Sequence, residues 1–339
     1  MIVVIGASGF IGTYLTDELI AQGREVFATG RRHLNRDYYE SRGIPCAKLD
    51  ISRKEDFDAL PTHNIEAVVL LAGLLPANVA DYDPQKYIDI NVTGTLNTLE
   101  YCRRVGAAKI IYAGSHSDVA GLWDCGRPIT EDDPICINYT GDHAVYIITK
   151  IAAQELVEHY HQQYGIQGIT LRLPAVYGYG PHTEIFVDGR RVVTGFKIFI
   201  ERAMAGQPIE VWGDCHKGRD LVYVKDVVSA FIGAIDSQRA HGLYNIASGI
   251  RTTLEEEVKG IIEVFCPPGR RSEIIYRPEK PNNIHTYLYD ISKAKRDLGY
   301  KVRYPYLKML EDYKLEMNSR RFEHLIQREK KDPAGSHDA

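Results

Sequence analysis

Short apolar runs alternate with stretches of helical period through the first half of the chain. "IVVIG", "EVFAT", "IEAVVLLAG", "AKIIYAG" and "ITLRLP" have the length and continuity of buried strands, and between them lie helix-like segments at 11–22, "KEDFDAL", 87–104 and 144–164. Near-continuous apolar strands separated by amphipathic crossovers predict parallel strands covered on both faces by helices. The expected fold class is therefore α/β, built on a doubly wound, mostly parallel sheet.

After Pro174 the alternation loosens into "YGYGPHTEIFVDGRRVVTG", an amphipathic stretch at 196–205 and "PIEVWGD". Two later runs, "LVYVKDVVSAFIGAI" and "GLYNIAS", read as a return to the sheet before a helix-like segment at 253–265 and a tyrosine-rich end. A smaller C-terminal domain, 174–221 with 249–321, is thus expected to interleave with a sheet domain formed by 1–173 and 222–248. From 322 to 339 the chain turns charged and then Gly/Ser/Pro-containing, which predicts a frayed tail.

The 339 residues, 44% hydrophobic and 25% charged, suit a globular protein of one large or two medium domains. A formal charge of -4 with scattered basic residues argues against nucleic acid as a partner. Cys46, Cys102, Cys125, Cys136, Cys215 and Cys266 form no CxxC pair, so no metal site is expected. With "MIVVIG" at the start and no long apolar span, the reading is a soluble cytoplasmic protein without a membrane partner.

Gly6, Gly9 and Gly12 stand between the first strand and the first helix. That placement permits a tight turn, lets backbone N–H groups approach a diphosphate, and aims a helix N-terminus at its charge. The second strand ends in Gly30, where an acidic residue would accept the ribose 2′-hydroxyl of NAD, and Arg31 and Arg32 follow. Two guanidiniums without a carboxylate favour NADP, with NAD retained as an alternative. Asp50 fits a strand-end carboxylate that could hydrogen-bond the adenine amine.

"YIITK" places Tyr146 and Lys150 four residues apart on one helical face. A tyrosine of ordinary pKa, about 10, needs positive charge nearby to act as a base at neutral pH, and Lys150 supplies one. Together with "GASGFIG", Asp50 with Ile51, "LLAG", "NVTGTLNTLE", "LRLPAVYGYGP", "VWGDCHKGRDLVYVKDV", "LYNIASG" and "DISKAKRDLGY", this motif resembles the extended short-chain dehydrogenase/reductases. The similarity is to their NAD(P)-dependent epimerase/dehydratase family and covers about residues 1–315.

The resemblance implies a Rossmann dinucleotide domain, with Ser8, Phe10, Ile11, Ile51, Leu71, Ala72, Gly73, Asn91, Lys150 and Pro174 beside the cofactor. It implies that Tyr146 takes a hydroxyl proton from a nucleotide-activated sugar as hydride leaves the adjacent carbon, while a Ser or Thr hydrogen-bonds the same oxygen. Matching "VAG" at 119–121 to the family's Val-Tyr-Gly puts His116 at that hydroxyl position. A one-residue shift of the strand end would bring Ser115 or Ser117 there instead.

Ala175 stands where relatives carry an asparagine near the diphosphate, and Ser117 with Asp118 stand where dehydratases carry an Asp-Glu pair. Asp118 reads as a substrate contact or a loop cap. Arg219 matches a phosphate-binding arginine, its alternative role being a salt bridge to Asp220; Trp212 and Arg277 are further substrate candidates. The resemblance implies an epimerase or keto-reductase, with a 4,6-dehydratase and a non-catalytic NADP(H) sensor as alternatives. The helices at 92–104 and 144–164 correspond to those that dimerise in relatives, so a homodimer is expected.

Overall fold

The computed structural model describes residues 1–325 except 32, 33, 142, 182, 183, 188 and 324. Seven strands form the central sheet: β1 (Ile2–Ile5), β2 (Val26–Gly30), β3 (Cys46–Lys48), β4 (Ala67–Leu70), β5 (Lys109–Ser115), β6 (Gln167–Leu173) and β7 (Gly242–Asn245). They lie in the order β7-β6-β5-β4-β1-β2-β3, and every pairing is parallel. The order reverses between β1 and β4, which opens a crevice at the carboxyl ends of those strands.

The main helices are α1 (Phe10–Ala21), α2 (Gly94–Val105), α3 (His143–Tyr164), α4 (Gly195–Met204), α5 (Val224–Asp236), α6 (Leu254–Phe265) and α7 (Tyr306–Glu316). Alternate strand residues enter two cores: Ile2 and Val4 join Tyr14, Leu15, Val227 and Phe231 on the α1/α5 face. Val3 and Ile5 join Leu99, Tyr101, Ala153 and Val157 on the α2/α3 face. Burial on both faces is why these strands read as continuous apolar runs rather than alternating ones.

Outside the central sheet the strands of the described residues pair two by two rather than in one further sheet. Ile209–Trp212 runs parallel to Ile274–Arg277, and Gly218–Asp220 runs antiparallel to Arg251–Thr253. Helix α6 begins in a capping box, Thr253 accepting from the Glu256 N–H while Glu256 accepts from the Thr253 N–H.

Two sequence expectations change. Most of "LVYVKDVVSAFIGAI" is α5, whose Val224, Val227, Val228, Phe231, Ala234 and Ile235 are buried at helical spacing. Only Val222–Tyr223 is a strand, and it pairs with Val176–Tyr177 outside the central sheet; β7 alone returns to that sheet. The packed chain also runs past 321, since Phe322 and Leu325 are buried, while 326–339 lie outside the described residues. Among the described residues no helix is long and apolar enough to cross a membrane, and no group of three or more His, Cys, Asp or Glu could hold a metal.

Candidate active site

The turn from β1 into α1 brings three backbones too close for side chains. Gly6 has φ +97°, and a Cβ there would lie 2.9 Å from the Ala72 amide nitrogen. A Cβ on Gly12 would lie 2.1 Å from the Gly6 carbonyl oxygen. Gly9 caps α1 without a side-chain hydrogen bond, and the first turn carries no acidic residue. The helix thus presents its first N–H groups and positive dipole end to the crevice, an arrangement that fits a dinucleotide's diphosphate.

Leu71 and Ala72 continue the floor of this cradle by donating their amides to the Ile5 carbonyl at 2.9 and 3.1 Å. Gly73 lies beside Asn91 and Lys150, where a Cβ would stand 3.3 Å from Asn91 Oδ1 and 3.9 Å from Lys150 Nζ. Asn91 itself is buried and bonds the backbone of Leu74 in both directions, at 2.7 and 3.1 Å, and Thr149 Oγ1 at 3.2 Å. It ties the loop after β4 to α3. Ile51 is packed beneath Gly94 of α2, and Pro174 is buried at the end of β6.

Position 30 has a local physical reason to be glycine: a Cβ would lie 2.3 Å from Ser8 Oγ. Arg31 follows, 3.7 Å from Asp50. Burial pushes the Asp50 carboxyl up, but hydrogen bonds from Ser52 at 2.7 and 3.1 Å and the charges of Arg31 and Arg53 outweigh it and hold the group below the ordinary range. A surface cavity lined by Arg31, Lys48 and Arg53 and equally by Asp50, Glu55 and Asp56, with Ala59, opens beside this end of the sheet. Arg32 lies outside the described residues.

Across the crevice, β5 ends at Ser115, in register with Leu173 of β6, and a 3-10 turn begins at His116. The Tyr146 phenol is buried, 9% exposed. Burial raises its pKa, interaction with the Ser115 side chain lowers it, and the Asp118 charge raises it. Ser115 Oγ also donates to Ser117 Oγ at 3.2 Å and accepts the Ser117 N–H at 3.3 Å, so Ser117 buttresses Ser115.

His116 turns elsewhere. Its Nδ1 lies 3.1 Å from the Tyr289 hydroxyl, and its ring packs against Trp123 and Tyr287 with centroids 4.9 and 5.2 Å away. Burial, with the charges of Arg172 and Arg219, lowers its pKa to about 3 and keeps it neutral. The imidazole thus belongs to an aromatic cluster with Trp123, Tyr287 and Tyr289, while Ser115 is the side chain that couples to the phenol.

Lys150 Nζ donates to the Ala113 carbonyl at 2.7 Å and lies 4.2 Å from the Tyr112 ring centroid. Burial lowers its pKa to about 7. The ammonium is held at the strand end beside Gly73 rather than paired with the phenol.

The proposed substrate contacts separate. Asp118 forms a buried pair with Arg172, at 3.0 and 2.8 Å, with only 5% and 2% of the two side chains exposed. Arg172 also reaches Asn245 Oδ1 at 3.0 Å, so Asp118 Oδ2 anchors the Ser115 turn to β6 and β7, while the buried Oδ1 of Asp118 has no hydrogen-bond partner among the described residues. Arg219 pairs with the buried Glu257 at 3.1 Å, not with Asp220, whose carboxylate accepts from Ser248, Gly249 and Tyr289. Trp212 and Arg277 sit opposite each other on the small sheet and share Glu210, at 2.8 and 3.3 Å.

Sequence reasoning misses Arg172 and Glu257, although each carries a signal. A lone arginine inside "ITLRLP" must be paired once that strand is buried, and Glu257 occupies a core position of α6.

The model of a family described as the NAD dependent epimerase/dehydratase family matches residues 2–247. The chain is 29% identical to a protein of Methanocaldococcus jannaschii named putative UDP-glucose 4-epimerase, over 89% of this chain and 93% of that one. It superposes on the Thermus thermophilus UDP-glucose 4-epimerase complex with NAD at TM-score 0.70 and 26% identity, covering 92% of this chain and 97% of that one. For the Thermotoga maritima UDP-glucose 4-epimerase with UDP-glucose the TM-score is 0.74 at 25% identity, with 94% and 99% covered.

Proposed function

The chain belongs to the NAD-dependent epimerase/dehydratase family of enzymes, and from that premise we propose that it is an epimerase or keto-reductase of a nucleotide-activated sugar. The observation that carries this reading is that α3 bears Tyr146 and Lys150 together, with Lys150 bonded to the Ala113 carbonyl of β5 and standing near Gly73, beside the strand end that carries Ser115. When bound in the cradle, a nicotinamide dinucleotide would supply reversible hydride acceptance. Tyr146 then takes the proton from the substrate hydroxyl and returns it. Ser115 donates to the same oxygen as negative charge develops, and the buried site keeps water from competing. Lys150, held on the Ala113 carbonyl near Gly73, supplies a donor for a ribose hydroxyl.

The dehydratase alternative has a single carboxylate in place of the Asp-Glu pair, Asp118, with its Oδ2 held by Arg172. The sensor reading gains no support from a helix that carries both Tyr146 and Lys150. Incubation of the purified protein with UDP-glucose and dinucleotide is expected to yield a stereoisomer of the sugar nucleotide; accumulation of a 4-keto-6-deoxy sugar would contradict the epimerase reading.

NADP is the cofactor that the end of β2 favours, since Gly30 carries no carboxylate and Arg31 lines the adjoining cavity. Arg31→Ala is expected to weaken NADP(H) binding about tenfold with little change for NAD(H), as losing one charge-assisted phosphate contact implies. Equal loss for both dinucleotides in a binding titration would remove the preference. Exposed Leu96 and Ile148, on the neighbouring helices α2 and α3, support a homodimer.

A further inference from the structure

The glycine cradle is braced from the far end of the chain. Phe10, the residue after Gly9, packs edge-on against Tyr14 at 5.8 Å between ring centroids and lies 6.5 Å from Phe322. Its ring fills the space over Gly178 and Gly180, where Cβ atoms would stand 2.8 and 2.6 Å from it. Phe322, 1% exposed, also meets Tyr14 at 5.7 Å and Tyr179 at 6.4 Å. The Tyr14 hydroxyl closes the group by donating to the Tyr179 carbonyl at 2.8 Å.

Arg321 makes the polar half of the same brace. Its guanidinium lies 4.5 Å from the Tyr14 ring centroid, pairs with Asp17 of α1, and donates to Glu316 of α7 at 3.1 and 3.2 Å. Glu316 is shared with Lys225 at 2.8 Å, and Asp17 with Arg42 at 2.8 Å. A segment beyond the matched region 2–247 thus connects α7 to the first two turns of the dinucleotide helix.

A loop with glycines at 6, 9 and 12 has little side-chain packing of its own and loses much conformational freedom when a ligand orders it. Fixing Phe10 and Tyr14 from outside removes part of that cost before binding. We propose that Arg321 and Phe322 are positioning residues for dinucleotide binding, acting through Tyr14 and Phe10 on the glycine loop. This rests on the reading of that loop as a dinucleotide site.

The test is an NADPH and NADH fluorescence titration of full-length wild type, Arg321→Ala, Phe322→Ala, and the milder Arg321→Lys and Phe322→Leu, with thermal melting and sugar-nucleotide KM measured alongside. The expected result is a rise in dinucleotide Kd of about tenfold in the alanine variants, largely restored in the milder pair, with KM at saturating dinucleotide within about twofold of wild type. Should the alanine variants fail to fold, a Kd rise of about threefold in Phe322→Leu is the expected result. Lower melting temperatures with unchanged Kd in all folded variants would overturn the proposal and leave a purely structural brace. Wild-type protein that binds neither dinucleotide would overturn the underlying reading and this inference with it.

Discussion

Tyr146→Phe is expected to lower kcat by about three orders of magnitude while leaving dinucleotide affinity within about twofold. The substitution keeps the buried ring and its edge contact with Tyr87, 6.3 Å between centroids, so the packing that orients α3 survives. What disappears is the phenolic oxygen, the atom proposed to accept the substrate proton. Steady-state turnover with a sugar nucleotide, paired with a dinucleotide titration, separates the two effects. Near-native turnover in Tyr146→Phe would remove Tyr146 from the chemistry.

Ser115→Ala is expected to lower kcat by about a hundredfold, the cost of deleting one preorganised donor to a developing oxyanion. His116→Phe is expected to retain most activity, because its imidazole bonds Tyr289 and packs on Trp123 rather than on Tyr146. The histidine instead marks stability. Its folded pKa of about 3 lies below the ordinary value of 6.5, so the unfolded chain binds more protons between those limits. Stability from its neutral burial is full above about pH 6.5 and is lost as pH falls toward 3. Denaturant titrations across that range should show a shallower acid loss in His116→Phe than in wild type, and the opposite pattern of activities in the two variants would return the hydroxyl role to His116.

That ambiguity shows how much of the site can be read from residues alone. The parallel sheet is legible because strands buried on both faces become continuous apolar runs, and the glycine cradle because close backbone approach leaves glycine as the residue that fits. The choice between Ser115 and His116 is not, since it depends on one residue of strand end: β5 stops at Ser115 and a 3-10 turn swings His116 into the aromatic cluster.

Long-range partners are equally hidden. Arg219 finds Glu257 rather than the neighbouring Asp220 because α6 presents that carboxylate from a buried helix face, while Asp220 is saturated by backbone and serine donors. The run at 221–235 reads as sheet because a long apolar stretch hides its period until the buried positions are known. Charge at the chain's end suggests fraying, yet Arg321 is paired on both sides and Phe322 is buried between them and the core.

On this mechanism Tyr146 and Ser115 handle the substrate's hydroxyl proton while hydride leaves the carbon that bears that hydroxyl and returns to it. Turnover of a UDP-sugar in D2O, followed by proton NMR of the product, tests it most directly. The expected product is a stereoisomer with no deuterium at the reacting carbon; deuterium incorporated there would show that the carbon is deprotonated to solvent instead and would overturn the mechanism.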